Sequence, residues 1–295
     1  MNVKQLKQEL DEKGIVLLEN QLPAEVLSQM QQTFERQLAH PQFNTWSGYQ
    51  QNEKWRLLIE DLLTLSPAFL YPVLNDDLMS VFREYIGDGF QMTEARGWET
   101  IKTNRNFHGY HNDGWYDVDK CAEPPSQLKL GVYLTDVESG EFCYVEKSHS
   151  QKLKPDHWNM EQVKAMGMKV NHVKAKAGSM FIFDTSGIHR QNSPVLDPRR
   201  AIFYNFHDPS APIQESDVEY DRYAPLLLNA AFLKDLTKEQ ERILGFGDQR
   251  YFNEGPIPQQ RYPLLHKMTS SALTLRLFSQ DCGQFVRRVK TKLIG

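Results

Sequence analysis

The feature that most constrains this chain is the stretch from Gly97 to Phe206, where short apolar or alternating runs recur between Gly, Pro, Asn and Asp. The runs WETIKT, LKLGVYL, EFCYV, HVKA, SMFIF and AIFYNF are each short and bounded by turn residues. Several such strands in succession predict an all-β barrel or sandwich. Helical character flanks them. Residues 4–14 predict a short amphipathic helix stopped at Gly14, followed by a strand in GIVLLEN. Pro23 opens a second helix, AEVLSQMQQTFERQLAH, with Val26, Met30, Phe34 and Leu38 on one face. Residues 55–86 are expected to be helical in pieces broken by Pro67 and Pro72, and helix-like segments return at 223–244 and 264–290. The expected architecture is mainly β with flanking helices: one domain over 1–210, and a C-terminal helical extension over 211–295 packed on it.

A formal charge of -4 over 295 residues gives no electrostatic case for nucleic acid or an anionic membrane. No apolar run approaches the roughly 20 residues that a spanning helix needs. The opening MNVKQLKQELDEKG lacks the apolar core of a signal peptide. Cys121, Cys143 and Cys282 are odd in number and show no CxxC spacing, which argues against a disulfide framework and for the cytoplasm. The partner to expect is a small molecule.

The densest chemistry lies in His108-Gly-Tyr-His111-Asn-Asp113-Gly-Trp115-Tyr116. In a strand, residues two apart share a side, so His111 and Asp113 can present an imidazole and a carboxylate to one point. His189, 78 residues after His111 and just past the strand expected at Ser179–Phe183, is the best third ligand. Two histidines and one carboxylate on one face of a metal leave positions open, as non-haem Fe(II) oxygenases require. Taken alone, H-x-D is more often a turn histidine bonded to a nearby aspartate than a metal site. The second signal is Arg200, eleven residues past His189, after a turn at Asp197-Pro198. A guanidinium there can grip a carboxylate through two parallel N–H bonds. Neighbouring Arg199 must point the other way. Alternation does not choose between them, because Ala201/Phe203 and Ile202/Tyr204 are both apolar sets.

Lesser candidates have bland counterparts. His108 is either on the substrate side or a solvated loop residue, and Trp98, Trp115 and Tyr116 are pocket walls or core. His149 is near the site or a turn residue. Lys102, Arg105 and Lys129 meet an anionic substrate or water. The basic run from Arg287 to Lys292 is a solvated helix end.

Three segments together resemble the phytanoyl-CoA dioxygenase family of 2-oxoglutarate-dependent oxygenases. They are the opening helix, strand and LPAEV helix; LKLGVYLTDVESGEFCYVEKSHSQKL; and KAKAGSMFIFDTSGIHRQNSPVLDPRRAIFYNF. The resemblance implies a double-stranded β-helix, a cupin-like jelly roll. It implies that His111, Asp113 and His189 match the iron ligands and that Arg200 matches the residue holding the far carboxylate of 2-oxoglutarate. Gln191 stands where relatives often carry a small hydroxyl residue near the co-substrate, and Lys147 where the family usually has Gly before Ser148-His149. Asp113 fills a position that halogenating relatives leave to Gly or Ala, which favours hydroxylation. The function expected is an Fe(II)-, 2-oxoglutarate- and O2-dependent dioxygenase acting on a specialised metabolite or amino-acid-like compound, by hydroxylation, desaturation or dealkylation. The alternatives are a zinc hydrolase or isomerase on the same triad, and a non-catalytic β-sandwich binding module.

Overall fold

The computed structural model describes residues 2–39, 56–59, 62–107, 109–114, 116–212, 226, 228–246, and 275, 278, 279 and 282. The chain divides into two compact units, Met1–Pro256 and Ile257–Gly295. In the second unit the described residues Leu275, Phe278, Ser279 and Cys282 are helical and exposed.

The first unit opens with helix α1 (Val3–Lys13), capped by Asn2 and ended by Gly14. Gly14 has φ 81° and returns its N–H to the Leu10 carbonyl at 2.7 Å. That left-handed conformation suits Gly. A Cβ here would also lie 2.4 Å from His149 Nδ1. Strand β1 (Ile15–Leu18), helix α2 (Ala24–Ala39), strand β2 (Arg56–Ile59), and helices α3 (Leu62–Leu65) and α4 (Asp76–Ile86) follow. The long β section runs β3 (Gln91–Thr100), β4 (Tyr110–His111), β5 (Gln127–Tyr133), β6 (Val137–Val145) and β7 (His157–Trp158). After helix α5 (Met160–Ala165) come β8 (Val170–Ala175), β9 (Met180–Asp184), β10 (His189–Gln191) and β11 (Arg199–His207); helix α6 (Lys238–Ile243) is farther on.

Two antiparallel sheets result, one ordered β1-β9-β5-β11-β3-β2 and the other β7-β4-β10-β6-β8. Strands from distant parts of the chain interleave, which is the jelly-roll topology of the double-stranded β-helix. The interior is aromatic: Tyr133, Phe142, Phe181, Phe183 and Phe203 pack between the sheets. The other face of the six-stranded sheet is apolar as well, because α2 and α4 cover it. Met30, Phe34, Met79 and Phe82 pack there against Leu130, Ile202, Tyr204 and Phe206. The inner strands β9, β5 and β11 are therefore largely buried on both sides and lose the polar alternation of a half-exposed strand.

Three elements depart from expectation. Residues 56–59 pair with β3 as a strand rather than a helix. RLLI is too short for its own periodicity to decide, and the open edge of β3 decides instead. β3 begins at Gln91, ahead of the run expected from Gly97, because β11 pairs along its whole length. Helix α5, not anticipated, is held by a reciprocal capping box between Asn159 and Gln162. Most of 264–290 lies outside the described residues, and α6 falls within the expected 223–244 segment. Among the described residues no helix is long and apolar enough to cross a membrane.

Candidate metal centre

β4 and β10 are neighbours, and their register sets His111 directly opposite His189. The two rings lie 4.6 Å apart between centroids. Asp113 follows β4 in a loop fixed by its own N–H, which donates to the Thr185 carbonyl at 2.9 Å. His189 Nε2 is 3.5 Å from Asp113 Oδ2, and His111 Nε2 is 3.7 Å from Oδ1. One ligand atom from each of the three residues lies within 4.8 Å of the others. The spacing suits a single cation.

The orientation of both rings is determined by the backbone. His111 Nδ1 meets the Gly109 carbonyl at 3.0 Å, and His189 Nδ1 meets the Gly187 carbonyl at 2.9 Å. A carbonyl only accepts, so each Nδ1 carries a proton and each Nε2 is the ring atom turned toward Asp113, the one a metal would take. Gly187 has no room for a side chain: a Cβ there would lie 1.9 Å from the Tyr144 hydroxyl. Lys129, on β5, donates to Asp113 Oδ2. Burial alone would push the Asp113 carboxyl up. The charge of Lys129, then the hydrogen bond and charge of His189 and the charge of His111, outweigh it and hold the group well below the usual carboxylate range.

Asn112, between the two ligands, points the opposite way and is 5% exposed. Its amide donates to the Leu153 and Ser186 carbonyls at 3.0 Å each, and its oxygen accepts from Asp156 N–H at 2.8 Å. It ties the Asp113 loop to two others. Sequence reasoning passed over Asn112. The available signal was a residue suited to local backbone bonding, set between two ligands in a strand-to-loop turn.

The triad opens on a cavity of about 460 Å³ whose lining includes Arg56, Glu94, Arg96, Trp98, Phe142, Phe203, Gln191 and Arg199. Here one expectation is corrected. Arg200 does not line the cavity. Its Nε donates to Glu99 at 2.9 Å and its Nη1 to Glu35 of α2 at 2.8 Å, so it belongs to the helix-covered face of the sheet. Arg199 lies in the cavity wall, 3% exposed, with its guanidinium 5.3 Å from the Tyr133 ring centroid. Its Nε and Nη2 have no hydrogen-bond partner among the described residues. Strand parity explains the exchange: Arg199, Phe203 and Asn205 face inward, whereas Ile202, Tyr204 and Phe206 face the helices.

Of the weaker candidates, Trp98 and Gln191 line the cavity. Gln191 Oε1 accepts from Thr100 Oγ1 at 3.4 Å, and its Nε2 is buried with no partner among the described residues. Tyr116 is corrected: it is 1% exposed, packs beneath Gly114 and is not part of the lining. His108 and Trp115 lie outside the described residues. His149 binds the Asp11 carbonyl of α1 at 3.2 Å and is a structural tie. Lys147 takes φ 67°, the left-handed conformation for which Gly is suited.

A second convergence, Glu141, Cys143 and His172, is already satisfied as a hydrogen-bonded cluster. His172 Nδ1 lies 2.7 Å from Glu141 and 3.3 Å from Cys143 Sγ, and Asn192 donates to Glu141 at 2.8 Å. Burial, then the charge of Glu141, pushes the Cys143 thiol up to about 12, so it remains a thiol at neutral pH.

The strand order and the helix-covered sheet define the chain as a cupin-like jelly roll of the kind used by 2-oxoglutarate oxygenases, and solved structures share it. The Fe-bound EctD from S. alaskensis is 20% identical, with 72% of this chain and 79% of that one covered at a TM-score of 0.59. The epimerase SnoN, in complex with Fe3+, alpha ketoglutarate and nogalamycin RO, is 15% identical over 74% and 88%, at 0.55. HygX from Streptomyces hygroscopicus, with nickel, 2-oxoglutarate and hygromycin B, is 16% identical over 71% and 89%, at 0.52. No curated protein matches the sequence. The model of the phytanoyl-CoA dioxygenase family matches residues 10–192, and the chain belongs to that family. It is a 2-oxoglutarate-dependent non-haem iron oxygenase, with iron as cofactor and 2-oxoglutarate and O2 as co-substrates.

Proposed function

We propose that the chain oxidises a small molecule, a specialised metabolite or amino-acid-like compound, by hydroxylation or a related desaturation or dealkylation. Iron would be held by His111, Asp113 and His189, and the far carboxylate of 2-oxoglutarate by Arg199. The observation that carries this is the pairing, in one cavity, of three converging ligand atoms with a buried guanidinium whose Nε and Nη2 lack partners among the described residues. The donor set fits iron(II): two neutral imidazoles and a carboxylate on one side, with open space opposite. Arg199 supplies what a dianionic keto acid needs at its far end, a planar fork in a dry wall. Iron with 2-oxoglutarate and O2 supplies an oxidant able to break an unactivated C–H bond, the keto acid leaving as succinate and CO2.

The protein's own part is placement. The Gly109 and Gly187 carbonyls fix the imidazole tautomers, Lys129 and Asn112 fix Asp113, and Phe142, Phe183 and Phe203 keep the inner wall apolar. The test is succinate formation from 2-oxoglutarate by purified protein with Fe(II), His111→Ala and Asp113→Ala alongside. Both variants should stay folded, bind iron at least tenfold more weakly (an order-of-magnitude expectation for ligand loss) and make no succinate. Wild-type turnover in either would remove that residue from the ligand set. Turnover with zinc alone would favour a hydrolase instead.

A further inference from the structure

The five-stranded sheet has an outer face as well as the inner one that carries the iron triad. Alternation along β6 turns Phe142 and Tyr144 inward and leaves Cys143 and Val145 on the outer side, which Glu141 shares. The register of β6 with β8 sets Cys143 directly opposite His172. Glu141, two residues before Cys143, reaches the same imidazole diagonally. His172 Nδ1 is therefore 2.7 Å from Glu141 Oε1 and 3.3 Å from Cys143 Sγ. One oxygen, one nitrogen and one sulfur lie within 4.8 Å of one another.

Glu141 is 3% exposed. Burial pushes its carboxyl up, but hydrogen bonds from His172, its own backbone and Asn192 outweigh this and hold it below the usual carboxylate range. Buried carboxylates are paired with a cation or bound to a metal. Among the described residues no lysine or arginine pairs with Glu141, and its ion-pair partner is His172, whose side chain is 48% exposed. An imidazole is a cation only when protonated. Nearby Arg190 gives its Nη2 to Asn192 Oδ1 at 2.8 Å, and Asn192 Nδ2 donates to Glu141 Oε1 at 2.8 Å. Asn192 N–H also donates to the Glu141 carbonyl at 2.8 Å. A chain of bonds from the end of β10 thus aims the carboxylate at His172 and Cys143.

We propose that Glu141, Cys143 and His172 form a second metal site, for zinc or a similar borderline-soft dication, with water as the fourth ligand. Thiolate, imidazole and carboxylate are the donor types that zinc accepts. A tetrahedral zinc with its usual bond lengths separates its donors by roughly 3.4–3.6 Å. Cys143 and His172 already stand at 3.3 Å, and Glu141 has to ease away from His172 by about 0.7 Å. Without an ion the hydrogen bonds hold the donors together. On binding, the Cys143 S–H proton passes to solvent, and the imidazole proton moves from Nδ1 to Nε2, freeing Nδ1 to ligate. The half-exposed edge of His172 is the way in. The ion cross-links β6 to β8, on the far side of β6 from the cavity. Sulfur separates this site from the iron triad, whose donors are nitrogen and oxygen alone.

Cobalt(II), titrated under argon into full-length protein, tests the assignment. Thiolate-bound cobalt shows an intense near-ultraviolet charge-transfer band that nitrogen and oxygen donors do not produce, so cobalt in the iron triad is silent there. Wild-type protein should develop the band, and His111→Ala, with the iron triad disabled, should keep it. Zinc added to the cobalt protein should remove it, since zinc binds such a site more tightly. Cys143→Ser should abolish the band, and His172→Gln should weaken cobalt binding at least tenfold (an order-of-magnitude expectation for ligand loss). Cys121→Ser combined with Cys282→Ser should leave it intact, which excludes the other two thiols. Zinc should also raise the melting temperature of His111→Ala and leave that of His111→Ala/His172→Gln almost unmoved. Circular dichroism checks folding; should Cys143→Ser fail to fold, the half-exposed His172→Gln and the wild-type spectrum decide. No band in wild-type protein overturns the inference, as does a band that survives Cys143→Ser or full cobalt affinity in His172→Gln.

Discussion

Replacing Arg199 and Arg200 one at a time separates two roles that adjacent residues would otherwise confuse. Arg199 is 3% exposed, and its Nε and Nη2 have no partner among the described residues, so its removal takes away a charge-assisted, bidentate contact from a dry site. Such a contact is worth about 2–4 kcal/mol, or roughly 30- to 1000-fold in 2-oxoglutarate affinity. Arg199→Lys should recover only part of this, because an ammonium cannot reproduce the planar fork. Without co-substrate the sign reverses. An uncompensated buried guanidinium destabilises the fold, so Arg199→Met should melt at or above the wild-type temperature. Adding 2-oxoglutarate with Fe(II) should then raise the wild-type melting temperature and leave that of Arg199→Met almost unmoved. Arg200→Ala should show the opposite pattern. It breaks ion pairs to Glu99 and Glu35, whose side chains are 12% and 61% exposed, at a cost of about 1–2 kcal/mol. Its 2-oxoglutarate affinity should stay within a few-fold of wild type. Titrating 2-oxoglutarate by calorimetry against both alanine variants is decisive: a large loss at 200 with none at 199 refutes the parity argument.

Other expectations are equally open to measurement. Lys147→Gly should stabilise the protein by about 0.5–1 kcal/mol, because φ 67° strains a side chain there, and thermal melting reads the gain directly. Asn112→Ala loses four side-chain hydrogen bonds, one of them long, which should cost about 2–3 kcal/mol and weaken metal binding about tenfold; unchanged iron affinity would deny it a positioning role. Asp113→Gly should bind iron yet lose hydroxylation, and efficient product formation by that variant would contradict a carboxylate ligand at 113.

Much of this site was legible in the sequence because its parts are local. His111 and Asp113 are two residues apart, and His189 opens the short strand that follows β9 and its apolar run, so the first pair needs little beyond the period of a β-strand. The choice between Arg199 and Arg200 was not legible. Periodicity reports which face is apolar, and α2 and α4 make both faces of β11 apolar. Only the partner of each guanidinium, Glu35 on a distant helix for one and the open cavity for the other, tells them apart. The strand at 56–59 was hidden for a related reason: its four residues form a strand because β3 offers an edge, a fact stored about 40 residues downstream. Lys147 shows the reverse case. The family resemblance marked the position as one for glycine, and the backbone there adopts the conformation that glycine tolerates.

Lys129 gives the fold its own stand-in for the charge that a dication would bring. With its ammonium on Asp113, the carboxylate is not an unmatched buried charge while the chain is being folded. Synthesis and metal supply are thereby uncoupled, unlike in small domains whose structure exists only with the ion in place. Loading becomes an exchange in which an ammonium yields part of its hold on Asp113 to the newcomer. Chelation should return the protein to a folded, reloadable apoprotein rather than to an unfolded chain.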